Sequence, residues 1–347
     1  LRTKKEFFDS SNSILIIKQR GLGDVILSTP TIQTIREYFK HAKIDLVLDS
    51  PSSELFSRYP LIDEIIEVKN NPFSILKTIK RIKGGYSLVF DLISTPFSLF
   101  LTIISGAKTT IGWAKPGKPR AKFYTHPIDI SESIPAIDAN LRAVRHLGMK
   151  PVSQKVKIYL SENEKIAVFN KFCNQLNLDK DKYTIAIHPG SLFKTKQWFP
   201  PRFAELSALL YDKGYQVVLT GSKDEIKTVE KVKSQSQREI PVLPPLSIRD
   251  YSSFLASVDL LITNDGGPLH ISQAVGTKSF AIFGSTDPYI WFPYAVPDDG
   301  DFVYSNIPCS PCSKKTCQSL ECLDKIKVIT VFKKIVSLIE SDLSSKP

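Results

Sequence analysis

Ile14-Leu-Ile-Ile-Lys-Gln-Arg-Gly-Leu-Gly-Asp-Val-Ile-Leu-Ser-Thr-Pro30 is the stretch on which the fold turns. Its first four residues are apolar and mostly β-branched, the composition of a strand buried on both faces. Gly21 and Gly23 then permit a tight turn where backbone can approach a ligand closely. Asp24 falls at the expected start of a helix. A carboxylate at a strand end beside glycines is well placed for chemistry. A plain strand-to-helix turn with a capping Asp has the same appearance. Taken alone, the stretch leaves both readings open.

The alternation it begins continues along the chain. Ile32, Ile35 and Phe39 give a helical stripe ending near Lys40. Residues 44–48 read as a strand, Ile65 and Val68 as part of a third, 75–82 as an amphipathic helix and 88–90 as a fourth strand. Residues 4–8 suggest a short leading helix. This order predicts a parallel sheet with helices on both faces. Residues 108–125 hold Lys108, Lys115, Lys118, Arg120 and Lys122 among Gly112, Pro116, Gly117 and Pro119. They read as a mobile basic loop, either a solvated connection or a clamp for an anionic substrate. A helix over 136–147 closes at Gly148. Residues 150–160 look like the crossing between domains, and Ser161-Glu-Asn-Glu164 resembles a capping box opening a helix to about Leu176.

The second half repeats the architecture, with strands at 184–187, 216–219, 260–263 and 279–283 and a final amphipathic helix at 325–339. Its turns are rich in chemistry. In Asp265-Gly-Gly-Pro-Leu-His270 two glycines expose backbone N–H groups at a helix start, which suits an anion. Asp265 can hold sugar hydroxyls, and His270 lies about a turn further on. His188-Pro-Gly-Ser191, with Lys194, Lys196 and Trp198, offers a hydroxyl, amides and a cation for phosphate. A capped turn with a structural His, and a loop with solvated lysines, are the plainer readings. In open α/β sheets ligands bind beyond the carboxyl ends of the strands.

The length of 347 residues suggests two domains, and 42% apolar content is ordinary for a globular chain. The formal charge of +11 implies affinity for phosphates, nucleic acid or an anionic membrane. Residues 1–11 are charged and lack the apolar segment of a secretory signal. The chain begins with Leu and its one Met is Met149, so the natural N-terminus is expected upstream. Residues 86–107 are interrupted by Asp91 and Pro96, which favours a strand, a turn and a short helix over a membrane span.

Together, Arg20-Gly-Leu-Gly-Asp24, His188-Pro-Gly-Ser191 with Lys196 and Trp198, Thr263-Asn-Asp-Gly-Gly-Pro-Leu-His270 and Phe283-Gly-Ser-Thr286 resemble the ADP-heptose:lipopolysaccharide heptosyltransferase family. The likeness runs from about Ile14 to Ile339. It implies a GT-B fold: two Rossmann-like doubly wound domains facing across a cleft, residues 1–160 for the acceptor and 161–325 for the ADP-sugar. A C-terminal helix and tail, 326–347, would pack back towards the N-terminal domain. It further implies Asp24 as the general base of an inverting, metal-independent transfer of heptose from ADP-L-glycero-D-manno-heptose to a lipopolysaccharide core acceptor. Ser191, Lys196, Leu246, Asp265, Gly266, Gly267, Pro268 and His270 match donor contacts, with Leu246 near the adenine. Gly21, Gly23, Lys115 and Arg120 fall to the acceptor. Lys223 stands where some members carry a ribose-binding Glu. The acceptor's identity stays open, because the residues after Asp91 are Leu92-Ile-Ser-Thr95. The expected partners are an ADP-sugar, a lipid-linked anionic saccharide and an anionic inner-membrane surface, with no nucleic acid. The expected location is the cytoplasmic face of the inner membrane of a Gram-negative bacterium.

Two metal readings stand beside this. Asp299-Gly-Asp301 has the Asp-x-Asp form of metal-dependent transferases, but residues 297–301 read as a surface turn. Cys309, Cys312, Cys317 and Cys322 are spaced closely enough for a structural zinc, for disulfides or for reduced thiols. No cofactor is expected to be required. A transferase using another nucleotide sugar and a non-catalytic binding module remain as alternatives.

Overall fold

The computed structural model describes residues 12–19, 21–292 and 300–345. The expected leading helix at 4–8, Arg20 and Asp299 lie outside them. The chain divides into two compact units, Leu1–Tyr159 and Leu160–Pro347.

The first unit is built on six parallel strands: β1 (Ser13–Ile17), β2 (Lys43–Leu48), β3 (Glu64–Glu67), β4 (Leu88–Asp91), β5 (Thr109–Trp113) and β6 (His126–Ile128). Their order is β3-β2-β1-β4-β5-β6. β1 is central, with Ile14 opposite Ile44 on one side and Leu88 on the other. Ile14 to Ile17 are fully buried, which stabilises the sheet by roughly 1.5–3 kcal/mol per side chain. Local signals set the helices. Thr95 and Ser98 form a capping box at the start of Pro96–Ile104, and Gly148, with φ +78, follows the end of Ala136–His146.

Residues 108–125 are not a mobile loop. They form β5 and a 3-10 turn, Pro119–Phe123, leading into β6. The pattern was hidden because Gly112 sits inside β5 under the ring of Tyr124. A Cβ at Gly112 would stand 2.1 Å from that ring.

The second unit carries five parallel strands: β7 (Thr184–His188), β8 (Gln216–Leu219), β9 (Leu260–Asn264), β10 (Lys278–Phe283) and β11 (Gly300–Tyr304), in the order β11-β10-β9-β7-β8. Gly300 and Asp301 therefore open a strand rather than a surface turn, and Asp301 pairs with Lys334 at 3.2 Å. The expected capping box is present at Ser161 and Glu164, opening Glu162–Leu176. The last helix, Val328–Ser345, buries Val331, Ile335 and Ile339 in the core of its own unit, with Ile185, Phe203 and Phe280. Residues 151–159 have no regular structure and lie along the helix Thr29–Tyr38, where Val152 and Lys157 donate backbone N–H bonds to Thr34 and Thr29. Among the described residues no helix is long and apolar enough to cross a membrane.

Candidate active site

In each unit the strand order reverses beside its first strand. That crevice, between β1 and β4 in one unit and between β7 and β9 in the other, is where open α/β sheets place ligands. The residues singled out from the sequence cluster at these two places.

In the first unit Gly21 has φ +79, a left-handed conformation that favours glycine, and it precedes the short helix Leu22–Ile26. Gly23 and Asp24 lie in the first turn of that helix. The Asp24 carboxylate folds back over Gly21, so that a Cβ there would meet its Oδ2 at 2.5 Å. The glycine thus makes room for the carboxylate itself.

Beneath it lies a residue the sequence did not flag. Lys18 follows β1 and is buried. Its ammonium donates to the carbonyl of Leu92 at 2.9 Å and to Asn140 Oδ1 at 3.3 Å, and sits 4.5 Å from the centre of the Trp113 ring. Burial lowers its pKa to about 8, against the opposing attraction of Asp24 and Asp91. Asp91, at the end of β4, is buried and accepts bonds from Ser98, Tyr124 and the amides of Ile93 and Ser94. Burial raises its pKa in spite of those donors. Arg120 donates to the carbonyl of Ser94 at 2.6 Å and holds this turn, whereas Lys115 is exposed.

In the second unit the loops after β7, β9 and β10 are tied together. Asn264, buried at the end of β9, donates to the carbonyls of Pro189 and Gly190 and accepts from the Trp198 amide. Ser191 donates its hydroxyl to the carbonyl of Asp265 at 3.2 Å. The Asp265 carboxylate is buried and pairs with Lys196 at 2.6 Å, while Thr286 donates to the same oxygen at 2.6 Å. Gly266 is extended, and Gly267–Ala274 is a helix with Pro268 in its first turn and His270 buried within it. Its first amides are free of intrahelical partners by the geometry of a helix start. Lys194–Lys196 packs on Gly284, where a Cβ would strike the Thr195 carbonyl at 2.2 Å.

Lys223, marked from the sequence as standing at a ribose position, is exposed. Asp224 in this turn is exposed, and Glu225, two residues beyond Lys223, is the carboxylate that turns inward. It contacts His188 Nε2 at 3.1 Å and accepts from the Ser222 amide and hydroxyl. Burial opposes its ionisation, but His188 and Ser222 outweigh burial and hold its pKa near 2. Its other oxygen lies over Gly190, where a Cβ would come within 2.2 Å. Leu246 is half-buried on the segment leading to Ile248–Leu255.

The four clustered cysteines are free thiols, three exposed and Cys322 buried. No group of three or more His, Cys, Asp or Glu among the described residues is placed to hold a metal ion. The cysteine loop is held by backbone: the amides of Cys312 and Ser313 donate to the Ser285 carbonyl.

Residues 75–323 match the model of "Glycosyltransferase family 9 (heptosyltransferase)". The lipooligosaccharide heptosyltransferase 2 of Campylobacter jejuni is 25% identical over 328 residues, 92% of this chain and 96% of that protein. The lipopolysaccharide heptosyltransferase 3 of Escherichia coli K12 is 26% identical, over 78% of this chain and 82% of its own length. Among solved structures, the E. coli ADP-heptose lps heptosyltransferase II superposes with a TM-score of 0.77 at 20% identity, over 95% of this chain and 99% of that one. That likeness carries the fold.

Proposed function

Since the chain belongs to glycosyltransferase family 9, we propose that it transfers a heptose from ADP-L-glycero-D-manno-heptose to a lipopolysaccharide core acceptor with inversion. The observation that carries this reading is the meeting of Ser191, Lys196, Asp265 and Thr286 beside a glycine-rich helix start. It suits a diphosphate joined to a sugar. The named relatives act on lipopolysaccharide or lipooligosaccharide by their names, which supports a lipid-bearing acceptor and hence work at a membrane surface.

In this mechanism an acceptor hydroxyl attacks the anomeric carbon as the bond from that carbon to the diphosphate oxygen breaks. Asp24 takes the hydroxyl proton as general base. The leaving ADP gains charge, which Lys196 and the amides at the start of Gly267–Ala274 stabilise. Asp265 holds sugar hydroxyls, Glu225 the ribose and Leu246 the adenine. Lys115 remains an acceptor contact. Arg120 serves the acceptor through the turn it holds. Every step uses only this chain's own residues.

The test is transfer from ADP-heptose to a core acceptor by wild type and Asp24→Asn. Turnover is expected to fall about 10²–10⁴-fold with ADP affinity kept. Full turnover in the variant removes Asp24 as base. Calorimetric preference for a UDP- or GDP-sugar removes the donor assignment.

A further inference from the structure

The helices Pro72–Ile82 and Pro96–Ile104 lie side by side on one face of the first unit's sheet. Ile79 and Ile82 of one, and Phe97, Leu101 and Ile104 of the other, pack with Leu15, Ile17 and Val89. Their carboxyl ends are joined where the Gly84 amide donates to the Ile104 carbonyl at 3.0 Å. Both helices also point apolar side chains outward. Phe73 is 80% exposed, Leu76 50%, Phe100 43% and Ile103 52%. Single exposed apolar residues are ordinary, but four on two neighbouring helices mark a contact surface.

The charges on the two helices are one-sided. On Pro72–Ile82 the stripe that begins at Phe73 and Leu76 continues through Lys77, Lys80 and Lys83, all exposed. Lys108 follows the second helix. None of these four lysines has an ion pair among the described residues. Neither helix contains an Asp or Glu. From residue 68 to residue 128 the sequence holds ten Lys and Arg and one carboxylate, Asp91, which is buried. Glu64 and Glu67 line the groove beside Phe73 and Lys77, but they are paired with Lys43, Arg81 and Lys69. Apolar tips beside unpaired cations are the chemistry that meets an anionic lipid surface. A second copy is a poor occupant, because a two-fold contact would set Lys77, Lys80 and Lys83 near their own copies.

We propose that this two-helix face docks on an anionic phospholipid bilayer, with Phe73, Leu76, Phe100 and Ile103 entering the headgroup boundary and the lysines on lipid phosphates. The inference deepens the reading of a lipid-bearing acceptor. It is tested by binding rather than turnover, so either can fail alone.

The full chain is floated with vesicles of phosphatidylglycerol mixed with phosphatidylcholine, and with phosphatidylcholine alone. Wild type is expected on the anionic vesicles only, with binding lost at high salt. The variant Phe73→Ser/Leu76→Ser/Phe100→Ser/Ile103→Ser should bind about tenfold or more weakly, and Lys77→Glu/Lys80→Glu/Lys83→Glu about a hundredfold. Ile329→Ser, an exposed apolar position in the second unit, should bind as wild type. Circular dichroism and thermal midpoint report that the exposed substitutions leave the fold intact. Equal binding by wild type and both multiple variants overturns the proposal. So does absence of wild-type binding, equal binding to neutral vesicles, or a wild-type dimer in light scattering that the apolar variant abolishes.

Discussion

Lys196 and Asp265 form a 2.6 Å ion pair in which the carboxylate is buried and the ammonium still reaches solvent. The two partners are therefore unequal. Without Lys196, a buried charge keeps Thr286 as its side-chain donor and loses its counter-ion. Breaking such a pair from one side costs about 3–5 kcal/mol. Lys196→Met is expected to destabilise the second unit by about that amount, and Lys196→Met/Asp265→Asn to recover most of it. Both variants should bind ADP at least tenfold more weakly. Denaturant titration and calorimetry read the two effects. A double variant no more stable than the single one means that the ion pair is not the source of the loss.

Gly21→Ala probes the room reserved for Asp24. The left-handed backbone costs an L-residue roughly 1–2 kcal/mol, and the added carbon would meet Asp24 Oδ2 at 2.5 Å. The carboxylate must move. Turnover should fall more than tenfold while ADP affinity stays unchanged, because the substitution is confined to the first unit. Undiminished turnover would show that the carboxylate's resting position is unimportant.

Lys18 gives a pH signature. Its folded pKa, about 8, lies below the ordinary 10.5. Between those values the unfolded chain holds more protons, so this group's contribution to stability grows as pH climbs from about 8 to about 10.5. The groups that face it are Asp24, Asp91, Asn140, the Leu92 carbonyl and Trp113. The stability difference between wild type and Lys18→Met should move in favour of wild type across that window. A difference that stays flat contradicts a buried, depressed ammonium.

Glu225 acts at the other end of the scale. Its folded pKa is about 2 against an ordinary 4.5. The stability it confers is present above pH 4.5 and drains away as pH falls through 2. Glu225→Gln should narrow its deficit against wild type on acidification through that window, as measured by thermal midpoints. It should also weaken ADP binding if the ribose lies on this carboxylate. ADP affinity equal to wild type would place the ribose elsewhere.

Much of this was legible beforehand because backbone chemistry leaves marks in sequence. Gly21 and the Ser161–Glu164 box announce turns and caps by residue type alone, and the loops after β7 and β9 announce themselves by glycine and spacing. Lys18 left no such mark. Its burial is decided by Leu92 and Asn140, more than seventy residues away, and a lysine after a strand ordinarily reads as solvated. Glu225 left no mark either, because only the folded turn brings its side chain back to His188. β5 was obscured by its composition, since a glycine between lysines and prolines suggests a loop until Tyr124 is seen covering it.

Asn264 spends its side-chain amide on three backbone partners from two segments. Consequently the loop that carries Ser191 and the segment that carries Lys196 behave as a single casting, set from the end of β9. For an engineer this divides the second unit into frame and trim. Asn264→Asp would turn a carboxylate towards two carbonyls and loosen the casting, whereas Leu192, exposed beside Ser191, hangs outside that three-way tie and can be changed without recasting the frame.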